Sequence, residues 1–243
     1  MTAAVSAPDF DDARARANVL RLAAAQALAG ANSTVVMTTG AIVGSIMAPQ
    51  PELATLPVSI FVVGTAAGTL PAGWIARRWG RGAAFVAGTT CGVLVGLIAA
   101  AAIYLGSFAL FCVGTFIGGF YQAVAQTFRF AATDTASPAF RPKALSWVMV
   151  GGVFSGVLGP QMVNWTMDLW SPYLFLASFL AQAAIAVVCM IVLAGVDLPK
   201  PAAPKAGVAA PAGRPLMEIA RQPKFLTAAL CAIVSYALMN LSM

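Results

Sequence analysis

The sequence predicts an all-α polytopic membrane protein, a bundle of six transmembrane helices followed by part of a seventh. Of its 243 residues, 60% are hydrophobic and only 9% are charged, whereas about 25% of the residues in a typical soluble domain are charged. The mean hydropathy is +0.86. The apolar residues also form separate runs that reach the roughly 20 residues needed for a membrane crossing.

The apolar runs divide the chain into a tail, six spans, a linker and a last helix. The tail, residues 1–18, lacks the basic start and short apolar core of a signal peptide, so we expect the first span to be retained. After the spans, a linker rich in proline and alanine covers residues 197–223, and a truncated seventh helix is expected at residues 224–243. The six spans are predicted at residues 19–48, 53–76, 83–105, 108–132, 144–165 and 172–196.

The basic residues predict the orientation of the bundle. If the N-terminus is cytoplasmic, all 14 Lys and Arg residues fall on the cytoplasmic side. This agrees with the enrichment of Lys and Arg in short cytoplasmic loops. The only charged residues in the opposite loops are Glu52 and Asp168. We therefore expect a multi-pass protein of the plasma membrane, the inner membrane of a bacterium, with a cytoplasmic tail and linker. Because the basic residues are scattered at helix ends, we expect a lipid bilayer and no nucleic acid as a partner.

The composition also limits the chemistry. The chain has no histidine, which excludes Ser-His and Cys-His catalysis and histidine-ligated metals. We interpret the four cysteines as packing residues because each stands alone in an apolar run. We expect no enzyme activity, cofactor or metal site. The cysteines are Cys91, Cys112, Cys189 and Cys231.

Glycines spaced four residues apart occur in each of the first five spans. Such pairs allow helix backbones to approach closely in lipid, where apolar burial cannot drive association. Five successive helices with this spacing predict a compact bundle. The pairs are Gly40/Gly44, Gly64/Gly68, Gly88/Gly92/Gly96, Gly114/Gly118 and Gly152/Gly156.

A basic segment, residues 73–82, separates the second and third spans. By itself it predicts a positive-inside anchor with glycines to make the turn. Its spacing, Gly-x-x-x-x-Arg-x-Gly-Arg, resembles the signature loop of the major facilitator superfamily, whose usual form is Gly-x-x-x-Asp-Arg-x-Gly-Arg-Arg. The matching residues are Gly73, Arg78, Gly80 and Arg81.

This resemblance implies a role for the basic segment in switching between conformations. In the family, the acid of the loop helps to latch two six-helix halves in the outward-facing state. Here Arg77 stands in the acidic position and Gly82 in a basic one. We predict that the whole segment, Arg77 included, takes part in conformational gating, as a basic clamp for Asp134 or for lipid phosphates.

The fifth span carries a small-residue face that ends in Gly-Pro and consists of Gly151, Gly152, Ser155, Gly156, Gly159 and Pro160. This face is similar to the glycine-proline signature of antiporters in this superfamily. Ser155 replaces a glycine of that signature, and its trailing glycine pair is absent. An ordinary packing face with a kink at Pro160 explains the pattern equally well, since proline frees a helix carbonyl. Packing and kink roles are predicted for Gly152, Gly156, Gly159 and Pro160.

Polar residues in the first and fourth spans are the candidate substrate contacts. Gln122, Gln126 and Arg129 recur at helical spacing on one face, and polar groups inside a membrane usually face the bundle interior or a cavity. Gln26 and Asn32 lie in the first span. In the family resembled, helices 1 and 4 line the central cavity. The alternatives are interhelical hydrogen bonds for Gln26 and Asn32, and for Arg129 either snorkelling or pairing with Asp134.

Asp134 is the acid at the inner junction of the fourth and fifth spans. We hypothesise that it pairs with an arginine of the basic segment and biases the inward–outward equilibrium. A proton is a candidate coupling ion, but no carboxylate lies mid-helix in the six spans. Coupling acids are therefore expected in a missing half.

Together these features predict secondary transport of a small molecule, a metabolite or a drug, by alternating access. The chain would be the N-terminal half or a fragment and would need the C-terminal six-helix half or a second copy. The alternatives are a non-transporting membrane scaffold or receptor and, less favoured, an intramembrane enzyme. A hydrophobic or cationic drug and a small anionic metabolite both remain open as substrates.

Overall fold

The computed structural model describes residues 12–134, 136–196 and 221–241. The described chain is helical without strands, which confirms the predicted all-α class. Most of the predicted tail and linker, residues 1–11 and 197–220, lies outside the described residues. The helices are α1 (Asp12–Met47), a 3-10 turn (Pro51–Leu53), α2 (Leu56–Trp79), α3 (Arg81–Leu105), α4 (Phe108–Ala125), α5 (Phe128–Asp134), α6 (Arg141–Thr166), α7 (Leu176–Ala194) and α8 (Pro223–Leu241).

Six helical segments of the described chain are long and apolar enough to cross a membrane. They are α1, α2, α3, the pair α4 and α5, α6 and α7, so the prediction of six spans is confirmed. The first helix begins at Asp12, earlier than predicted, because its polar first turns continue the helix on the water side. The last helix, α8, belongs to a second compact unit, and its role as a seventh membrane helix stays a prediction.

The fourth span is broken, whereas one continuous helix was predicted. α4 ends at Ala125 and α5 begins at Phe128. At the break, the backbone N–H of Thr127 donates to the Val124 carbonyl at 2.9 Å, and the Thr127 hydroxyl donates to the same oxygen at 2.6 Å. These short-range bonds replace the regular helical pattern. The break separates the end of the span, which carries Arg129, from the rest.

The basic segment is almost entirely helical, and this corrects the expectation of a loop whose glycines make the turn. α2 continues to Trp79 and α3 begins at Arg81. Only Gly80 leaves the helix, with φ +91°, a conformation that a residue without a side chain adopts readily. A Cβ on Gly73 or Gly82 would meet nothing within 4 Å. The turn therefore depends on Gly80 alone.

Close helix contacts confirm the compact bundle. The main pairs are α1 with α6, α2 with α4, α3 with α7 and α3 with α4. A Cβ on Gly64 would lie 2.4 Å from the Phe116 carbonyl oxygen, and one on Gly96 would lie 2.6 Å from that of Phe179. No real Cβ approaches an oxygen so closely, so these contacts exist only because the residues are glycines.

Only part of the predicted small-residue face of α6 packs against α1. Gly151, Ser155 and Gly159 are buried, and a Cβ on Gly151 would lie 2.2 Å from the Ala23 oxygen of α1. In contrast, a Cβ on Gly156 would meet nothing within 4 Å in the described chain. Within the described residues, Gly152 and Gly156 make no such close contact, and their packing role stays a prediction. The face turned to α1 follows the i, i+4, i+8 series from Gly151, where a Cβ on Gly159 would lie 2.6 Å from Thr34 Cβ. Pro160 lies within the helix.

Candidate functional site

A cavity of about 240 Å³ opens between α1, the break after α4, α5 and α6. Gln26, Gln126 and Arg129 line it together, so the structure brings three of the five predicted substrate contacts to one place. The opposite wall comes from α6 and is apolar. Its residues are Val148, Met149, Gly152 and Val153.

The break in the fourth span positions the polar wall of this cavity. Gln126 is the C-cap of α4, and its N–H donates to the Gln122 carbonyl at 3.1 Å. Arg129 follows in the first turn of α5. On α6, a Cβ at Gly152 would lie 3.9 Å from Gln26 Cγ. Gly152 thus borders the cavity beside the Gln26 side chain of α1, without the close backbone contact that Gly151 makes.

Arg129 presents an unused hydrogen-bond donor. Its Nε is buried and has no hydrogen-bond partner within the described part of the chain. Its guanidinium carbon lies 5.0 Å from the centroid of the Phe130 ring, a cation-π distance. A buried donor without a partner costs about 1–3 kcal/mol. Because Nε is buried, it is not exposed to the cavity, and only the rest of the guanidinium can face it.

Two other predicted contacts are bonded within the bundle. The Ser33 hydroxyl of α1 donates to Gln122 Oε1 of α4. Asn32 is buried and bonded to Gln182 of α7: Gln182 Nε2 donates to Asn32 Oδ1, and Asn32 Nδ2 donates to the Gln182 backbone oxygen at 3.3 Å. Neither Asn32 nor Gln122 lines the cavity, and their contact with a substrate stays a prediction.

Asp134 pairs with an arginine of the basic segment, as hypothesised. Arg81 Nη2 lies 2.6 Å from Asp134 Oδ2, with the two side chains 34% and 46% exposed. The pair connects the first residue of α3 to the last residue of α5. Because Arg81 occupies the carboxylate, the alternative in which Arg129 pairs with Asp134 is not found.

Elsewhere in the basic segment, Arg78 packs with two tryptophans at the end of α2. The guanidinium carbon of Arg78 lies 5.7 Å from the ring centroids of both Trp74 and Trp79. The two indoles meet edge to face at 4.9 Å. Arg77, which stands in the position that is acidic in the resembled family, is exposed beside them. A contact between Arg77 and Asp134 is therefore absent from the described structure, and Arg81 makes the pair instead.

These features define a polytopic α-helical membrane protein with six closely packed spans and a polar cavity between the first, fourth and fifth. Residues 22–243 match the family model described as Major Facilitator Superfamily. The chain belongs to the major facilitator superfamily, as the spacing of the basic segment indicated.

Among curated proteins, the chain is 42% identical over 233 residues to the riboflavin transporter RfnT of Brucella anthropi, covering 96% of this chain and 58% of that protein. It is 31% identical over 162 residues to the uncharacterized MFS-type transporter YdeG of Bacillus subtilis, covering 66% of this chain and 37% of YdeG. It is 33% identical over 141 residues to YddS of the same organism, another uncharacterized MFS-type transporter, covering 57% of this chain and 32% of YddS. The chain thus spans little more than half the length of RfnT. No solved structure matches it significantly.

Proposed function

We propose that the protein carries a small organic molecule across the membrane by alternating access, and that this chain supplies the N-terminal six-helix half. The cavity that collects Gln26, Gln126 and Arg129 carries the proposal. A scaffold needs tightly packed helices but has no use for a cavity lined by two amides and an arginine. Ligand sites usually have volumes of about 300–1,000 Å³, so a cavity of about 240 Å³ is one wall of a site that a second half or a second copy completes.

For the substrate, we propose a planar, uncharged, hydrogen-bonding heterocycle of the flavin type, riboflavin in particular. The relative that shares 42% identity over 233 residues is named a riboflavin transporter. The flavin ring presents carbonyl oxygens and an N–H along one edge. The amides of Gln26 and Gln126 can donate and accept hydrogen bonds, and the terminal N–H groups of the Arg129 guanidinium can donate to a carbonyl oxygen. A purely cationic drug would meet a cation here and lacks such acceptors.

We also propose that the N-terminus faces the cytoplasm of a plasma membrane. The described basic residues of the bundle support this orientation, since they occur near the starts of α1, α3 and α6, at the end of α2 and in α5. Arg21 donates a hydrogen bond to the Gly195 carbonyl after α7. This contact joins the start of the first span to the end of the sixth on the same cationic side, where short cytoplasmic loops concentrate Lys and Arg.

The Arg81–Asp134 pair is proposed to bias the inward–outward equilibrium. It joins α3 to α5 within this chain, so we propose that it acts by fixing the end of α5 against the start of α3. A contact can shift such an equilibrium only by the difference between its strengths in the two states. For a pair this exposed, that difference is at most about 1 kcal/mol.

Uptake of labelled riboflavin into proteoliposomes containing the full-length gene product tests the proposal. Saturable uptake that unlabelled riboflavin inhibits is expected, and repeating it with and without an imposed proton gradient identifies the coupling. Uptake of other solutes but not of flavins would refute the substrate. Riboflavin binding without movement across the bilayer would instead identify a receptor.

A further inference from the structure

A second cavity lies at the cationic ends of α1 and α6, with a volume of about 330 Å³. It combines two cations, two aromatic rings and two aliphatic side chains. We call it the inner groove. Its lining residues are Arg16, Val19, Leu20, Phe140, Lys143 and Trp147.

The inner groove is separate from the proposed substrate cavity. α1 and α6 touch where Gly151 meets the Ala23 oxygen. At 3.6 residues per turn, Leu20 and Gln26 diverge to opposite sides of Ala23 along α1. Leu20 lines the inner groove and Gln26 the substrate cavity. The two cavities therefore lie on opposite sides of the α1–α6 contact, and substrate binding does not account for the inner groove.

The cations of the inner groove converge from different helices. Arg16 extends from the first turns of α1, and its guanidinium carbon lies 5.9 Å from the centroid of the Phe140 ring. Lys143 and Trp147 are four residues apart in α6, so they stand on the same face. Arg16, Lys143 and Trp147 are all exposed. No carboxylate among the described side chains forms an ion pair with Arg16 or Lys143.

We propose that the inner groove binds an anionic phospholipid, with Arg16 and Lys143 holding the headgroup phosphate and the acyl chains lying on Leu20 and Trp147. The charge of the groove and its position select this occupant. Tryptophan and basic side chains at the ends of membrane helices lie at headgroup depth, where a net negative lipid headgroup is attracted by each Lys or Arg. A lipid without net charge or an apolar helix would leave the two cations without a net counter-charge among the described side chains. This inference does not rest on the transport proposal.

The test uses the full-length protein in nanodiscs made of phosphatidylcholine, with and without phosphatidylglycerol. Native mass spectrometry then measures how much phosphatidylglycerol the protein retains. In the variant Arg16→Gln/Lys143→Gln, the affinity for phosphatidylglycerol is expected to fall by about 30-fold, from the loss of two cations near the headgroup. The control Arg221→Gln/Lys224→Gln removes two cations that belong to the second compact unit and are not among the lining residues of the groove, and it is expected to retain the lipid.

Two further measurements keep the proposal testable if the Gln variant does not fold. Arg16→Lys and Lys143→Arg keep the charges and are expected to retain phosphatidylglycerol. In the unaltered protein, bromine-labelled phosphatidylglycerol should quench a tryptophan signal that disappears in Trp147→Phe, and labelled phosphatidylcholine should not. Equal quenching by both lipids, equal retention by the Gln variant and the unaltered protein, or equal loss in the control variant would overturn the proposal. So would displacement of the lipid by inorganic phosphate alone, which would indicate a site for a free anion.

Discussion

Adding one methyl group at Gly151 should destabilise the bundle, whereas adding the same group at Gly156 should not. Both glycines lie in α6, and Gly151→Ala places a Cβ 2.2 Å from the Ala23 oxygen of α1. Gly156→Ala places a Cβ where no described atom lies within 4 Å. The pair therefore separates a close helix contact from a glycine without one in the same helix.

The size of the effect follows from this distance. A carbon and a carbonyl oxygen normally stay about 3.3–3.6 Å apart even in close contacts, so α1 and α6 must separate by about 1 Å at Gly151. Overpacking of this kind costs about 1–3 kcal/mol. Alanine is favoured over glycine within a helix by up to about 1 kcal/mol, and this gain applies to both variants. Their stabilities should therefore differ by the overpacking cost alone, about 1–3 kcal/mol.

Thermal unfolding in detergent can measure this difference. Cys112 and Cys189 are buried and free, so a thiol-reactive fluorophore reports their exposure as the helices separate. For a chain of this size, each kcal/mol shifts Tm by about 2–4 °C, provided that all variants are heated at one rate, since unfolding is often irreversible. Gly151→Ala should melt several degrees below Gly156→Ala. Equal Tm values for the two variants would refute the close packing of α1 against α6 at Gly151.

Three further predictions concern the polar contacts. Asp134→Asn should change the ratio of inward- to outward-facing accessibility of introduced cysteines by up to about fivefold, because an ion pair this exposed is worth at most about 1 kcal/mol. Unchanged accessibility together with unchanged transport kinetics would contradict the gating role. Arg129→Gln should weaken transport of an anionic flavin derivative more than that of riboflavin, since it removes a charge but keeps a donor, and equal losses in competition assays would argue against direct recognition by Arg129. Gln182→Leu should lower the stability by about 1–3 kcal/mol because it leaves the buried Asn32 amide without its side-chain partner, and a Tm equal to that of the unaltered protein would show that the Asn32–Gln182 bonds contribute little.

The membrane class and the number of spans could be predicted from the sequence because both depend on local composition. A run of about 20 apolar residues crosses the bilayer wherever it occurs, and three arginines between two such runs mark a helix end. The spacing around Gly80 indicated the family for a similar local reason. It belongs to one short segment, in which Gly80 makes the turn between α2 and α3. Helical spacing predicted one polar face for Gln122, Gln126 and Arg129, but the helix breaks between α4 and α5, and only Gln126 and Arg129 line the cavity.

The partners of the polar residues could not be predicted in this way. Asn32 and Gln26 are both amides in the first span, but Asn32 faces α7 and bonds to Gln182, whereas Gln26 faces the cavity beside Gly152. The difference depends on how α1 is rotated between its neighbours. Nothing within α1 itself indicates which amide meets another helix.

The glycines of α6 show the same limit most clearly. Composition and periodicity by themselves determined that this chain is a bundle of membrane helices with glycine contacts, since these follow from the short-range chemistry of each segment. Only the tertiary structure decided that Gly151 packs against α1 while Gly152 borders the cavity. Neighbouring residues of a helix point about 100° apart, so a small rotation of α6 exchanges a packing position for a cavity position, and that rotation is set by the fit of several helices at once.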